Sequence, residues 1–346
     1  MRNAIIRFIV SFLLLATFLG CAHERIPCHP PSHYAPEPGA PYIAEEVQII
    51  TNEGYLLAGT LTIPIIESPP FPAVILITGS GHSDRDHVGN NKYPINQYRP
   101  FWQIADALSR RGIVVLRMDD RGVGCSKGGV LADATIIERA DDTRAGLEYL
   151  IKREEIDAHK LGLLGLSEGA NIAPIVAASD SSIRGIVMMA AIARSGLKIE
   201  EYQYRYEIER EEGLTVEERE QKVTEMMKRL KEAVSKGDVI RHDEFYLNHY
   251  IPLQVAKKVK CSVLILHGDK DAHIPPEDAQ IFAKAIRSNG NKDVTFKILK
   301  NHNHLFLEDS DGRKSHYIDF LKSTNKLSDE LLTLISDWIS IRLTLK

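Results

Sequence analysis

Cysteine and tryptophan are scarce in this 346-residue sequence, which has four of the first and two of the second. Four cysteines are too few for a small disulfide-stabilised scaffold, and without a Cys-x-x-Cys pair no zinc ribbon or thioredoxin-type site is indicated. Neither sign of charge dominates, because 43 basic residues stand against 47 acidic ones. We therefore expect no nucleic-acid partner. The apolar residues 8–19 would form a helix of about 18 Å, too short for a bilayer core of about 30 Å.

The first residues read as an export signal. Two arginines precede the apolar run, and a small residue ends it, which predicts a secretory signal peptide over residues 1–20. Phe18-Leu19-Gly20-Cys21 resembles the lipobox of bacterial lipoproteins. The resemblance implies cleavage before Cys21, acylation of this cysteine, and lipid anchoring to the bacterial cell envelope at the outer membrane or periplasmic face. The alternative is an ordinary signal peptide that happens to precede a cysteine.

A proline-rich segment follows. Six of the 16 prolines lie within residues 22–41, which predicts a stiff tether over residues 21–44. If Cys21 is acylated, an odd number of cysteines remains. Cys125 and Cys261 fall beside predicted strands, where a single cysteine usually packs as a small apolar residue. Pairing among Cys28, Cys125 and Cys261 stays open.

Residues 45–346 have the pattern of an α/β domain. A turn at residues 52–54 separates two strand-like stretches, which predicts an antiparallel hairpin. Short apolar strands then alternate with amphipathic helices. The predicted strands are 73–78, 113–118, 161–166, 185–190, 262–266 and 294–299. This alternation predicts a mainly parallel, doubly wound sheet with helices on both faces.

The stretch 195–260 interrupts the alternation. Within it, 21 of the 42 residues from 200 to 241 are charged, and Thr215 with Glu218 forms a capping-box signal. A solvated helix with one packing face accounts for this composition. Because the stretch lies between two core strands, we predict a helical lid insertion there.

Gly165-Leu166-Ser167-Glu168-Gly169 follows a predicted strand and opens a predicted helix. This is the context of a nucleophile elbow, in which small neighbours let strand and helix backbones approach and the serine hydroxyl is exposed. A serine needs a histidine base and an orienting acid. Two aspartates, Asp269 and Asp271, follow the strand at 262–266, and two histidines, His302 and His304, follow the last strand.

These segments together resemble the α/β-hydrolase superfamily, close to its serine esterases and serine peptidase-like members, over residues 45–342. The family's acid motif, Gly-x-x-Asp-x-x-(Val/Ile)-Pro, matches residues 268–275 and implies Asp271 as the acid, ahead of Asp269. The base usually precedes an apolar residue and then phenylalanine. His304-Leu305-Phe306 fits this pattern, so His304 is preferred to His302.

The resemblance also implies an oxyanion hole made by backbone N–H groups. One donor is Glu168, and the other is Ser80 or Gly81 in a loop that resembles the Gly-Ser-Gly-x-x-Asp-Arg-Asp segment of one bacterial esterase group. A salt bridge between Asp84 and Arg85 is expected to hold this loop, and the alternative is a direct role in substrate binding. Leu166 and Ala170 depart from the histidine and glycine common there, which leaves the substrate preference open.

The remaining histidines and the second glycine-rich segment give weaker indications of function. His82, His267 and His273 are candidates for lining the site, without an assigned role. A zinc site from His267, His302 and His304 is conceivable, but no metal-binding spacing supports it, so we expect no metal. Residues 120–126 are taken as a structural turn and not a dinucleotide loop, because the third glycine is displaced and no helix opens there.

The sequence therefore predicts a serine hydrolase that cleaves small-molecule carboxylic esters through an acyl-enzyme intermediate, using Ser167, His304 and Asp271 and no cofactor. One alternative is a peptidase-like hydrolase in which Glu168 or the acidic insertion holds the substrate's amine. The other is a catalytically silent surface lipoprotein. The oligomeric state stays open.

Overall fold

The computed structural model describes residues 26–66, 68–88, 98–314, 317 and 325–344. The predicted signal peptide and the predicted lipidation site Cys21 lie outside these residues. Within the described ranges, no helix combines the length and the hydropathy needed to cross a bilayer.

An eight-stranded sheet forms the centre of the domain. Its strands are β1 Tyr42–Ile50, β2 Leu56–Pro64, β3 Phe71–Ile77, β4 Val114–Met118, β5 Ile156–Leu166, β6 Ile183–Met189, β7 Ser262–Gly268 and β8 Val294–Leu299. The order across the sheet is β1-β2-β4-β3-β5-β6-β7-β8. The hairpin β1–β2 and the pair β2–β4 are antiparallel, and all the other pairs are parallel. The predicted α/β-hydrolase fold is confirmed.

Helices cover both faces of this sheet, as continuous apolar strands require. The helices outside the insertion are α1 Pro31–Tyr34, α2 Pro100–Ser109, α3 Ile136–Ile151, α4 Glu168–Ala177, α9 Glu277–Arg287 and α10 Asp329–Thr344. Ile75, Leu164 and Leu264, on three central strands, are buried. Local signals set the helix starts: Pro100 occupies the first turn of α2, and Thr135 forms a capping box with Glu138 at α3.

Four helices lie between β6 and β7. They are α5 Gly196–Glu209, α6 Val216–Lys236, α7 Arg241–Asn248 and α8 Pro252–Ala256. The capping box expected from Thr215 and Glu218 is present at α6, which ends at Gly237 in a left-handed conformation (φ 71°). The insertion has a small core of its own, formed by Tyr204, Ile208, Val223, Met227, Leu230 and Leu247. The charged residues of α6 therefore flank a genuine packing face.

Residues 26–41 pack against the domain. Cys28 forms a disulfide with Cys125, in the loop after β4, and Cys261 is free. The Tyr34 ring is fully buried, and the guanidinium carbon of Arg85 lies 4.1 Å from its centroid. This part of the proline-rich stretch is therefore bound to the loops after β3 and β4 through a buried ring and a covalent bond.

Candidate active site

Ser167 occupies the single-residue turn between β5 and α4. Its backbone is in an unusual conformation, with φ 57° and ψ −118°. The flanking glycines explain how the turn closes: a Cβ on Gly165 would lie 2.0 Å from the carbonyl oxygen of Gly169, and one on Gly169 would lie 2.1 Å from that of Ile77. Only glycine fits at both positions. The strain holds the serine hydroxyl at the carboxyl edge of the sheet, at the start of a helix.

The loops after β7 and β8 bring an acid and a histidine to this serine. His304 Nε2 lies 3.2 Å from Ser167 Oγ, and His304 Nδ1 lies 2.8 Å from Asp271 Oδ2. One imidazole therefore joins the hydroxyl to the carboxylate in the order that proton transfer from serine requires. The three residues are separated by more than 30 positions in the chain at each step.

Asp271 is completely buried and fully hydrogen-bonded. Its Oδ1 accepts the backbone N–H groups of His273 (2.7 Å) and Ile274 (2.9 Å). Its Oδ2 contacts His304 and lies 3.1 Å from Nε2 of His267, a nitrogen that is also 3.1 Å from the carbonyl oxygen of Ile274. Burial by itself would raise the pKa of Asp271, but His304 and His267 outweigh it and hold this pKa well below 3.8. The acid is therefore ionised and aimed at His304.

The alternative acid and base lie elsewhere. Among the ion pairs of the described residues, none joins Asp269 to a histidine. His302 directs Nδ1 to the carbonyl oxygen of Lys300 at 2.8 Å. His273 stacks on the ring of His304 with centroids 4.2 Å apart and a 12° angle between planes. Burial holds the pKa of His273 well below 6.5, so it packs on the base as a neutral ring.

The loop after β3 lies against the nucleophile. A Cβ on Gly79 would lie 3.1 Å from Ser167 Cβ, so the chain leading to Ser80 and Gly81 passes directly beside the serine. The Gly79 N–H donates to Nδ1 of His87 at 3.3 Å. Burial lowers the pKa of His87 to about 3, so its ring is neutral and accepts this bond. The N–H of Glu168 opens α4 and has no partner within that helix.

The expected salt bridge between Asp84 and Arg85 is wrong. The Arg85 guanidinium instead binds Asp119 at 2.9 Å and Glu46 at 2.6 Å. Asp84 Oδ1 accepts the backbone N–H groups of Asp86 and Val88. The reason is direction: the Arg85 side chain reaches Glu46 on β1 and Asp119 directly after β4, while Asp84 binds backbone groups of its own loop. The two residues hold the loop separately.

Comparison with known proteins identifies the family of this chain. A model of the prolyl oligopeptidase family matches residues 101–326. The chain belongs to the prolyl oligopeptidase family. Esterase EstD from Thermotoga maritima is 29% identical over 309 residues, covering 85% of this chain and 67% of EstD. This prolyl oligopeptidase family member is thus a serine hydrolase of the esterase or peptidase type.

Solved structures agree on the fold. The Pyrococcus furiosus esterase Pf2001 superposes with a TM-score of 0.58 at 16% identity, covering 92% of this chain and 95% of that one. The α/β hydrolase GrgF from Penicillium sp. sh18 gives a TM-score of 0.58 at 17% identity, covering 87% and 99%. At such identities the similarity shows the α/β-hydrolase fold of the family member and leaves its substrate open.

The side chain of Glu168 has a role that the sequence did not indicate. It is buried, and its two oxygens bind different cations: Arg139, and Nε2 of His242 on α7 at 2.7 Å. Burial opposes the charge, but the two cations outweigh it and lower the pKa of Glu168 to about 2. In return, Glu168 and Asp243 raise the pKa of His242 to about 10 against the effect of burial. The ion pair between His242 and Glu168 therefore joins the insertion to the nucleophile elbow.

Arg139 connects this ion-pair network to the loop after β3. Its Nη2 donates to Thr78 Oγ1 at 2.9 Å and lies 3.2 Å from Asp120 Oδ1. Asp120 Oδ2 in turn accepts the backbone N–H of Ser83 at 3.1 Å. The segment at residues 120–126 is expected from the sequence to be a structural turn. Its Asp120 carboxylate links Arg139 to the backbone of the loop after β3.

Proposed function

We propose that this protein is a carboxylesterase-type serine hydrolase. Ser167 Oγ attacks the acyl carbonyl carbon, while His304 Nε2 takes the hydroxyl proton and then delivers it to the leaving alkoxide. Asp271 keeps His304 in the tautomer that accepts at Nε2. The backbone N–H of Glu168 and that of Ser80 or Gly81 stabilise the tetrahedral oxyanion. Water then hydrolyses the acyl-enzyme by the same steps in reverse order, and the chemistry needs no cofactor.

The observation that carries the proposal is the single imidazole shared between Ser167 and Asp271, at 3.2 Å and 2.8 Å. A serine hydroxyl is a poor nucleophile unless a base takes its proton, and this arrangement supplies the base and its orienting acid. The closeness of Gly79 to Ser167 supports the neighbouring Ser80 or Gly81 as the source of the second backbone donor.

The Glu168 side chain favours esters over peptides with a free amine. In the peptidase alternative Glu168 is a candidate to hold the substrate's ammonium group. Here both of its oxygens are already bound to Arg139 and His242, and the residue is 3% exposed. A substrate amine would have to displace a buried cation. The similarity to a protein named as an esterase supports the same choice.

Turnover of short-chain p-nitrophenyl esters tests the proposal, with aminoacyl p-nitroanilides as the peptidase comparison. We expect ester turnover to exceed anilide turnover. We also expect Ser167→Ala to lower kcat by at least about 1000-fold while the circular dichroism spectrum stays unchanged. Undiminished ester hydrolysis by Ser167→Ala, or a preference for the anilides, would overturn it. A fluorophosphonate probe that fails to label the wild-type protein would favour the silent-lipoprotein alternative.

We also propose that the protein is exported and anchored through acylated Cys21. The Cys28–Cys125 disulfide supports export, because disulfides persist in oxidising compartments and are rare in the cytosol. Mass spectrometry of the mature N-terminus should find a lipid-modified Cys21, and Cys21→Ala should release the protein from the membrane fraction. An unmodified residue 21 after cleavage would favour the ordinary signal peptide instead.

A further inference from the structure

Two histidines of the N-terminal segment face an aspartate of the oxyanion loop. His29 lies two residues before the short helix α1, His33 lies within it, and Asp84 lies in the loop after β3. One nitrogen of each ring and one oxygen of Asp84 all lie within 4.8 Å of one another. The two imidazole rings are nearly parallel, with centroids 4.2 Å apart. Imidazole nitrogen and carboxylate oxygen are the ligands that Zn²⁺ and related ions bind.

A disulfide and two hydrogen bonds hold the backbone around His29 and His33 in place. The Cys28–Cys125 disulfide immediately precedes His29. The carbonyl oxygen of His33 accepts from Arg99 Nη2 at 2.6 Å, and the carbonyl oxygen of Ala35 accepts from the Trp102 indole at 3.2 Å. The rings themselves are half-buried and can turn towards a ligand. Backbone placement is thus fixed while the donor atoms keep freedom to adjust.

Asp84 is a buried carboxylate whose charge is not balanced by a side chain. It is 1% exposed, and its Oδ1 accepts two backbone N–H groups. None of the ion pairs among the described residues involves Asp84, whereas its neighbour Asp86 pairs with both Arg99 and Arg117. A buried carboxylate without a cation is costly, so a bound cation would stabilise this residue.

The arginines nearby do not exclude a cation, because other carboxylates neutralise them. Arg85 binds Asp119 and Glu46, and Arg99 binds Asp86.

We propose that His29, His33 and Asp84 form a binding site for one divalent transition-metal ion of the Zn²⁺ type, with solvent completing the coordination. Metal–ligand distances of about 2.0–2.2 Å place the donor atoms of a tetrahedral site about 3.4 Å apart, so donor atoms within 4.8 Å of one another need to close by at most about 1.4 Å. The ion would join the N-terminal segment to the loop that carries Ser80 and Gly81. It would act on structure, at a distance from the ester chemistry, and the inference does not depend on the proposed function.

Metal titration of the untagged, metal-free protein with its disulfide intact tests the site. We expect one equivalent of Co²⁺ to give visible absorption bands, which one equivalent of Zn²⁺ then abolishes by displacement. His29→Gln and His33→Gln should each weaken Zn²⁺ binding by at least about tenfold. Both side chains are half-exposed, so these variants should fold. His249→Gln, at an exposed histidine directly after α7, is the matched control and should bind like wild type.

A second readout separates this site from ions held elsewhere, for example at His304. Zn²⁺ should raise the thermal unfolding midpoint of the wild type and of His249→Gln, but not that of His29→Gln or His33→Gln. Absence of stoichiometric binding to the wild type would overturn the proposal. Binding that persists unchanged in both His29→Gln and His33→Gln would do the same.

Discussion

The imidazole of His242 lies 2.7 Å from the carboxylate of Glu168, and this contact joins the insertion to the residue after the nucleophile. Both side chains are buried, and the other oxygen of Glu168 binds Arg139. Since the Glu168 N–H is a proposed oxyanion donor, its side chain fixes the position of a catalytic backbone group. The insertion is thereby linked electrostatically to the nucleophile elbow.

Titration of His242 should make stability fall at alkaline pH. Its pKa rises on folding from 6.5 to about 10, because Glu168 and Asp243 outweigh burial. A raised pKa contributes stability that is fully present below about 6.5 and is lost as the pH rises through about 10. We expect the free energy of unfolding, measured with urea, to fall by up to about 4 kcal/mol between about pH 7 and about pH 10.5. His242→Gln should show a flatter pH dependence and a lower value at pH 7.

His249→Gln serves as the control for this change. His249 directly follows the same helix, α7, but its side chain is 58% exposed. This variant should keep the wild-type loss of stability at alkaline pH. If His242→Gln and wild type lose stability in parallel between the same two pH values, the ion pair does not contribute as argued.

His267 should act as a positioning residue for the catalytic acid. Its Nε2 lies 3.1 Å from Asp271 Oδ2, on the carboxylate that also binds His304, and 3.1 Å from the carbonyl oxygen of Ile274. Removing this donor leaves more negative charge facing His304 and frees the carboxylate to move. We expect His267→Leu to lower kcat by about tenfold with little change in KM, and to shift the acid limb of the kcat/KM profile to higher pH.

His267→Gln is the informative partner variant, because its amide can still donate to Asp271. It should recover much of the lost kcat and return the acid limb towards its wild-type position. Equal losses in both variants, with an unshifted profile, would indicate that His267 only fills space.

The Cys28–Cys125 disulfide should stabilise the fold through its long loop. It joins positions 97 residues apart and so restricts the unfolded chain strongly. We expect the double variant Cys28→Ser/Cys125→Ser to lose about 2–4 kcal/mol of unfolding free energy. Dithiothreitol should destabilise the wild type similarly and leave the double variant unchanged. Cys261→Ser, at the free cysteine, should respond to the reductant as wild type does.

Local chemistry explains which features were predictable from sequence. Five consecutive residues between a strand and a helix are enough to predict the elbow at Ser167. Thr215 with Glu218 likewise predicts a helix start without any distant contact. The contacts of Glu168 with His242 and of Arg85 with Asp119 span 74 and 34 positions. Predicting either contact requires knowing where an insertion helix or a neighbouring strand packs. His242 lies in a charged, amphipathic stretch, where a histidine reads as solvated.

Gly169 should be irreplaceable for activity, because β3 and α4 meet there without room for a side chain. A Cβ at this position would lie 2.1 Å from the carbonyl oxygen of Ile77, so Gly169→Ala must push the helix away from the sheet. That shift moves Ser167 off His304. We expect a loss of about 1–3 kcal/mol in unfolding free energy and a much larger relative loss of kcat.

Gly162→Ala, on the same strand as the elbow, is the matched control. Its Cβ would meet the nearest atom, a carbonyl oxygen of Gly185, at 3.3 Å, which a small adjustment can accommodate. This variant should keep most of its ester turnover even if its stability drops slightly. Wild-type kcat in Gly169→Ala would mean that the close approach of helix and sheet does not set the position of the nucleophile. Comparing the two alanines therefore separates the geometry of the elbow from the general cost of filling a packed sheet.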